Sequence, residues 1–214
     1  MGTMKGIKLI IFDFDGVLAD TYEVYHRFLV EKFRLSDKRA KHFLDKSAVS
    51  MRRERRLKWL VRRLESYYYR RFRKYIKEKH DLYRAELPEL LDRLTIPAGV
   101  VTRSTAKVCE EILDSQYERF AFVYGRKVFH HKHEMIQEIL EKRNLAPQEV
   151  LFVTDTTADI LDVQEALPIS QIFVTTWGFS KVEDLKMHIP EQQILQSSLL
   201  EIFDKIETET VLTI

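Results

Sequence analysis

The chain has 214 residues, of which 45% are hydrophobic and 32% charged, so it is long enough to form one full core, with or without a smaller inserted module. Its formal net charge of only +2 gives no overall electrostatic preference for a nucleic acid or a membrane surface, and no apolar run approaches the roughly 20 residues that a membrane-spanning helix needs. Because its single cysteine, Cys109, excludes an internal disulfide and the Met1–Lys8 segment is too short and polar for a signal peptide, we expect a soluble cytoplasmic protein.

The first predicted element is a buried strand that ends in two aspartates. An apolar run through Phe12 leads directly to Asp13 and Asp15, and such a run is typical of a parallel sheet. Because successive strand residues face opposite ways, the two carboxylates lie on the same side. Two carboxylates at the mouth of a buried strand are costly unless they bind a cation or take part in chemistry. Ligand sites of open α/β sheets lie at this end of the strands, so the position fits an active site.

Residues 20–94, between the first and second predicted strands, have a helical pattern throughout. A single crossover helix needs only about 12 residues, so this segment is far longer than a simple connection. We therefore predict an all-helical cap over residues 20–94, inserted next to Asp13 and Asp15. The core is then formed by residues 1–19 and 95–214.

Strands and helices alternate in the rest of the chain. Further strands are predicted over residues 98–102, 120–124, 150–154 and 171–175, and helices over 105–116, 133–143 and 157–166. This alternation predicts an α/β fold, a Rossmann-like three-layer α/β/α sandwich with a parallel sheet.

Polar residues at four predicted strand ends are expected to converge at one edge of this sheet. They are Asp13 and Asp15, Thr102, Lys132, and the pair Asp155 and Asp159. Lys127 is the alternative to Lys132, which we prefer because a helix follows it immediately. The carboxylate oxygens in this set suit Mg²⁺, and the ion would draw in an anionic phosphoryl group.

The same residues suit phosphoryl transfer. Asp13 can attack phosphorus to give an acyl phosphate, and Asp15 can act as general acid and then general base. Thr102 can donate a hydrogen bond to a phosphoryl oxygen, and Lys132 can neutralise charge that develops in the transition state.

With these motifs in this order, the chain resembles the haloacid dehalogenase (HAD) superfamily, specifically its phosphatase-type hydrolases with a helical cap after the first strand. The matching motifs are Asp13-Phe14-Asp15-Gly16-Val17, Thr102, Lys132 and Asp155-Thr156-Thr157-Ala158-Asp159-Ile160. The resemblance implies that Asp13 is the nucleophile and a Mg²⁺ ligand, and that Asp15 is the general acid/base and ligates the metal through its backbone carbonyl. It also implies that Asp155 binds the metal directly, with Asp159 beside it or acting through water.

Two residues depart from the family's usual pattern. Thr154 stands where a glycine often precedes the metal-binding aspartate, so its side chain could crowd the metal site. Arg103 follows Thr102, where a smaller residue is usual, and we interpret it as a contact for a second anionic group of the substrate. The predicted substrate-binding residues are therefore Thr102, Arg103 and Lys132.

The function that we predict is Mg²⁺-dependent hydrolysis of a small phosphorylated metabolite through an aspartyl-phosphate. A sugar phosphomutase is an alternative, because it would share every core motif. A second alternative is nucleic-acid binding by residues 51–80, which contain thirteen Lys/Arg and three Glu but no recognisable nucleic-acid motif. A solvated helix face or the steering of an anionic substrate would also explain this basic segment.

Several other polar residues are not expected to take part in chemistry. Adjacent histidines rarely share one face, and no cysteine pair accompanies His130, His131 and His133, so we do not predict a zinc or nickel site there. Asp20 is expected to cap the first cap helix, and Asp162 to be an exposed helix residue.

Overall fold

Six parallel strands form the centre of the molecule in the computed structural model, which describes residues 6–49, 67, 70–77, 82–125 and 131–211. The strands are β1 (Leu9–Phe12), β2 (Ala98–Val101), β3 (Phe122–Tyr124), β4 (Val150–Thr154), β5 (Ile172–Thr175) and β6 (Ile194–Leu195). Their order is β3-β2-β1-β4-β5-β6, and every neighbouring pair is parallel. The predicted α/β fold with a parallel sheet is therefore confirmed, with one further strand, β6, at its edge.

Helices connect the strands and cover both faces of the sheet. They are α1 (Thr21–Phe33), α2 (Asp37–Val49), α3 (Leu87–Arg93), α4 (Ala106–Leu113), α5 (Lys132–Arg143), α6 (Thr157–Val163), α7 (Val182–Lys186) and α8 (Glu201–Val211). None of the helices in the described part of the chain combines the length and the apolar character that a membrane crossing requires.

Alternate residues of β1 belong to two separate hydrophobic cores, which gives the three-layer arrangement. Ile10 and Phe12 pack in the core on one face, with α1, α4 and α8. Leu9 and Ile11 pack in the core on the other face, with α5, α6 and α7. All four side chains are fully buried, as expected for a central parallel strand that is covered on both faces.

The described residues between β1 and β2 are mainly helical, in α1, α2, residues 70–76 and α3. The two chain segments that lead into and out of this region are paired: Arg84 N–H donates to the Leu18 carbonyl at 2.9 Å, and Ala19 forms a β-bridge with Tyr83. The bounds of the cap, residues 20–94, and of the core stay a prediction.

Most of the basic segment 51–80 lies outside the described residues, as do Lys127 and His130. In its described part, two cations approach Glu111 of α4. Arg73 Nη2 lies 2.5 Å from Glu111 Oε1, and Lys77 Nζ lies 3.6 Å from the same oxygen. These two positive charges therefore interact with an acidic residue of the chain itself.

Phe72 links the 70–76 helical segment to α1. Its ring is fully buried and stacks on Tyr25 at a centroid distance of 4.2 Å, and it contacts Phe28 edge-on at 5.2 Å. We expect Phe72→Ala to lower the free energy of unfolding by about 3–5 kcal/mol, because it leaves a cavity and removes the aromatic contacts. Chemical denaturation measures this loss, and Lys74→Ala, at an exposed position of the same segment, is expected to change the free energy by no more than about 0.5 kcal/mol. Equal effects of the two substitutions would contradict the packing described here.

Candidate active site

The carboxyl ends of β1, β2 and β4 bring the predicted site residues together at one edge of the sheet. Asp13 follows β1, Thr102 follows β2 and Asp155 follows β4, while Lys132 begins α5 and Asp159 lies in the first turn of α6. The parallel register aligns Phe12 with Val100 and with Val153, so the residues that follow the strands lie at the same level. All five polar side chains are buried.

The ammonium of Lys132 is buried between two carboxylates. Its Nζ lies 2.7 Å from Asp13 Oδ2 and 2.9 Å from Asp159 Oδ2. Burial by itself disfavours the charged amine, but the attraction of the two carboxylates outweighs it, and the pKa of Lys132 is raised. The side chain therefore stays a cation within the site.

Asp159 is the most fully hydrogen-bonded carboxylate of the cluster. Its Oδ2 accepts from Lys132 Nζ and from the hydroxyls of Thr156 at 2.8 Å and Thr154 at 3.1 Å. Its Oδ1 is paired with the guanidinium of Arg103. Although burial opposes ionisation, Lys132 and Arg103 hold the pKa of Asp159 well below its usual range. Asp159 is therefore an ionised anchor for two cations.

The two departures from the family pattern, Thr154 and Arg103, both have a partner here. The Thr154 hydroxyl donates to Asp159 rather than crowding the cluster, and Arg103 reaches the same carboxylate. Whether Arg103 also contacts a substrate anion stays a prediction. The Arg103–Asp159 pair could not be predicted from local patterns, because the two residues are 56 positions apart.

Asp155 is the carboxylate with an unmet polar atom. Its Oδ2 accepts from the Phe179 N–H at 2.7 Å, but its Oδ1 is buried and has no hydrogen-bond partner within the described residues. Burial, and then the nearby charge of Asp13, raise the pKa of Asp155 well above its ordinary value. A buried carboxylate oxygen without a donor is the kind of group that a bound cation would satisfy.

Asp13 contacts the Lys132 ammonium and lies close to Asp155. Its Oδ1 accepts from the Phe14 N–H at 2.7 Å, and its Oδ2 contacts Lys132. Burial raises the pKa of Asp13 to about 7, even though Lys132 acts in the opposite direction. Asp13, Asp155 and Asp159 each offer an oxygen, and these oxygens lie within 4.8 Å of one another.

The charges of the cluster do not balance on their own. Four carboxylates meet two cations: Asp13, Asp15, Asp155 and Asp159 against Lys132 and Arg103. With all four carboxylates ionised, the difference of two negative charges would equal the charge of one divalent cation, and an all-oxygen ligand set is the kind that Mg²⁺ prefers. The residues present therefore fit the predicted Mg²⁺.

Asp15 is held by hydroxyl groups. Its Oδ1 accepts from Thr21 Oγ1 at 2.8 Å and its Oδ2 from Ser104 Oγ at 2.5 Å, and the Ser104 hydroxyl lies 3.2 Å from that of Tyr25. Burial raises the pKa of Asp15, and the hydrogen bonds from Ser104 and Thr21 act in the opposite direction. Sequence reasoning missed Ser104, whose signal was its place two residues after Thr102. Asp20 occupies the N-cap position of α1, as predicted, but its side chain makes no capping hydrogen bond.

Asp162 is buried, so the prediction of an exposed helix residue is wrong. Its Oδ2 accepts from the backbone N–H of Lys132 at 2.8 Å, and its Oδ1 lies 2.7 Å from His133 Nδ1 and 3.2 Å from His131 Nδ1. The two imidazole rings stack at 5.1 Å, so these histidines do share one face. Asp162 therefore anchors the start of α5, where Lys132 lies.

Gly178 leaves room for the Asp155 carboxylate, because a Cβ at this position would lie 2.2 Å from Asp155 Cβ and Oδ2. We expect Gly178→Ala to displace Asp155 and to weaken Mg²⁺ binding by about 10- to 100-fold, the usual range for a disturbed support of a metal ligand. Isothermal titration calorimetry measures the affinity. The control is Thr176→Ala in the same loop, whose hydroxyl donates to the Gln196 carbonyl. Unchanged affinity in Gly178→Ala would count against Asp155 as a ligand.

The raised pKa of Asp13 makes stability depend on pH. Between its ordinary pKa of 3.8 and about 7, Asp13 binds a proton in the folded state but not in the unfolded state, so the free energy of unfolding falls as pH rises through this window. Asp15 and Asp155 add to this trend, because their pKa values are also raised. The lowered pKa of Asp159 stabilises the fold at every pH above the ordinary pKa of an aspartate. This contribution is lost only at lower pH, so it stays constant within the window.

We therefore expect metal-free protein in a chelator to lose stability between about pH 4.5 and about pH 7, with a shallower loss in Asp13→Asn. Urea denaturation at several pH values measures both slopes. Parallel slopes for the two proteins would show that Asp13 does not titrate in this range.

Solved structures of similar fold cover nearly the whole chain. A haloacid dehalogenase-like hydrolase, SP0104 from Streptococcus pneumoniae, is 22% identical with a TM-score of 0.68, over 93% of this chain and 98% of that one. A predicted phosphoglycolate phosphatase from Haemophilus somnus 129PT is 20% identical with a TM-score of 0.67, over 94% and 99%. A mutant of CbbY from Rhodobacter sphaeroides, in complex with xylulose-1,5-bisphosphate, is 16% identical with a TM-score of 0.66, over 88% and 93%.

Comparison with curated proteins finds no significant match. The family model described as haloacid dehalogenase-like hydrolase matches residues 10–167, a span that includes every residue of the carboxylate cluster described above. The resemblance predicted from the motifs is confirmed, and the chain belongs to the haloacid dehalogenase-like hydrolase family.

Proposed function

We propose that the protein is a Mg²⁺-dependent phosphomonoester hydrolase that works through an aspartyl-phosphate. The observation that supports this most directly is the environment of Asp13. Its carboxylate is held by the Phe14 N–H and the Lys132 ammonium, close to Asp155, one oxygen of which has no hydrogen-bond partner among the described residues. A carboxylate that is fixed in place, next to a cation and a candidate metal site, is suited to attack an anionic phosphoryl group.

The Mg²⁺ would be held by Asp13, Asp155 and the backbone carbonyl of Asp15. Both oxygens of Asp159 already accept from Lys132 and Arg103, which favours a role through water over direct ligation. When bound, the ion would supply positive charge that offsets the repulsion between the carboxylates and the phosphoryl group.

The first chemical step uses Asp13 and Asp15. An Asp13 oxygen forms a bond to phosphorus while the bond from phosphorus to the ester oxygen breaks, and that leaving oxygen takes a proton from Asp15. The raised pKa of Asp15 supports this role, because it favours the protonated acid at the start of the step. In the second step Asp15 takes a proton from water, the water oxygen bonds to phosphorus, and the bond to Asp13 breaks to release phosphate.

Thr102 and Lys132 would hold the phosphoryl group during both steps. The Thr102 hydroxyl oxygen accepts from the Ser104 N–H at 3.0 Å, which leaves its own hydrogen available for a phosphoryl oxygen. The Lys132 ammonium has three hydrogens and, among the described residues, two carboxylate partners, so a third hydrogen would serve the phosphoryl group. Both donors point to stabilisation of the charge that develops on the transferring group.

A small phosphorylated metabolite is the substrate class that we propose. The names of the similar structures support this choice, since one is a predicted phosphoglycolate phosphatase and another holds a sugar bisphosphate. Arg103 is the candidate contact for a second anionic group, because its guanidinium lies at the same edge of the sheet.

Asp13→Asn tests the nucleophile. We expect it to reduce Mg²⁺-dependent hydrolysis of p-nitrophenyl phosphate on the order of 10³-fold or more, because an amide cannot form the acyl phosphate. Asp20→Asn is the matched control, since this exposed aspartate follows the same strand and makes no capping bond, and it is expected to keep full activity. Turnover in Asp13→Asn close to that of the control would refute the assignment.

Measuring free phosphate separates a hydrolase from a phosphomutase. With sugar phosphates and Mg²⁺, we expect phosphate and dephosphorylated sugar to appear in equal amounts. Isomerised sugar phosphate with little free phosphate would favour the mutase instead.

A further inference from the structure

A second cluster of ligand-type side chains lies at the start of α5, apart from the all-oxygen cluster. It consists of His131 and His133, which flank Lys132 in the sequence, and Asp162 of α6. The two imidazoles point the same nitrogen, Nδ1, at the same carboxylate oxygen, Asp162 Oδ1. The proposed hydrolysis uses none of these three side chains.

The separations within this cluster are close to those of a coordination shell. His133 Nδ1 lies 2.7 Å and His131 Nδ1 3.2 Å from Asp162 Oδ1, and all three atoms lie within 4.8 Å of one another. Ligands at 2.0–2.1 Å from a tetrahedral Zn²⁺ are separated by roughly 3.3 Å. Shifts of a few tenths of an ångström to about 1 Å therefore convert this contact set into three legs of a tetrahedron.

The surroundings provide the supports that metal ligands commonly have. The second oxygen of Asp162 accepts from the Lys132 N–H, which fixes the carboxylate. His133 Nε2, the nitrogen that faces away from the cluster, lies 3.6 Å from Glu165 Oε2. A carboxylate next to the distal nitrogen of a histidine ligand orients the ring and makes it a better donor.

Access and charge also favour an ion at this position. The His131 side chain is 50% exposed, so an ion can enter from solvent and keep water as a fourth ligand. The cationic partners of buried Asp162 in the described residues are imidazoles, which carry a charge only when protonated. A bound divalent ion would give this carboxylate a permanent positive partner.

We propose that His131, His133 and Asp162 form a second metal site, one for a divalent transition ion such as Zn²⁺. Imidazole nitrogens suit zinc, copper and nickel, whereas oxygen-only sets suit magnesium. The chain therefore carries two sites of different ligand character, and each selects its own class of ion. The two sites share Lys132, which contacts Asp162 through its backbone N–H and Asp13 through its ammonium.

Cobalt(II) is the probe that tests this proposal, because its visible absorption is strong in a four-coordinate nitrogen-containing site and weak in an octahedral oxygen site. The experiment uses protein without a polyhistidine tag and an excess of Mg²⁺, which fills the oxygen-only cluster. We expect one equivalent of Co²⁺ to bind with strong absorption, and one equivalent of Zn²⁺ to displace it.

Ligand variants assign the absorption to residues. His131→Ala and His133→Ala each remove a direct ligand. Loss of an outer-shell partner already weakens metal binding about 10- to 100-fold, so we expect each variant to weaken Co²⁺ binding by at least that factor. His188→Ala removes an exposed histidine elsewhere and is expected to leave binding unchanged. Because the His131 side chain is half exposed, we expect His131→Ala to keep the fold. Circular dichroism checks this.

Asp155→Asn separates this proposal from the proposed function, because it should disturb the oxygen-only cluster and leave the Co²⁺ absorption intact. Absorption that is absent, or that survives in both histidine variants, would overturn the second site. Absorption that is lost in Asp155→Asn alone would assign the ion to the oxygen-only cluster, and would also refute the proposal. In that case the histidines and Asp162 serve only as hydrogen-bonding partners.

Discussion

The arrangement of the site depends on one buried ion pair network, the Lys132 ammonium between Asp13 and Asp159. These residues belong to three separate segments: the end of β1, the start of α5 and the first turn of α6. Removing a charged group from water costs several kcal/mol, which only close and well-oriented partners compensate. Two carboxylate oxygens at 2.7 and 2.9 Å provide that compensation, so the three segments are held at one edge of the sheet.

The two cations of the site lie on the Asp159 side, so further positive charge is needed on the Asp155 side. Lys132 and Arg103 both contact Asp159, whose pKa is lowered, whereas Asp155, whose pKa is raised, has one oxygen without a donor in the described part of the chain. A cation bound on the Asp155 side would favour the ionised form of the carboxylates, which burial disfavours. Burial is the main reason that the pKa of Asp13 is raised to about 7, and the Lys132 ammonium opposes this shift.

The fold, and the convergence of the polar residues that follow β1, β2 and β4, could be predicted from the sequence because parallel strands leave little freedom. Apolar runs define β1, β2 and β4, and a parallel sheet must bring the residues after them to one edge. β6 was missed because a strand of two residues has no periodic pattern. The partners of Asp15, Asp159 and Lys132 were missed for a different reason: Ser104–Asp15, Arg103–Asp159 and Asp162–Lys132 join residues that are 89, 56 and 30 positions apart. Such pairs result from tertiary packing, which local patterns do not encode.

The burial of Asp162 shows how tertiary packing determines which side chains can act together. From the sequence alone, two histidines on either side of a lysine in a helical segment are expected to diverge, because residues two positions apart on a helix do not face each other. His131, however, precedes α5 in extended conformation while His133 lies within the helix, and this change of backbone brings both rings over one carboxylate. Since Asp162 uses its other oxygen for the Lys132 N–H, the position of this lysine depends on both clusters. Lys132, whose ammonium belongs to the carboxylate cluster, is thus fixed through its backbone N–H by Asp162 of the histidine cluster.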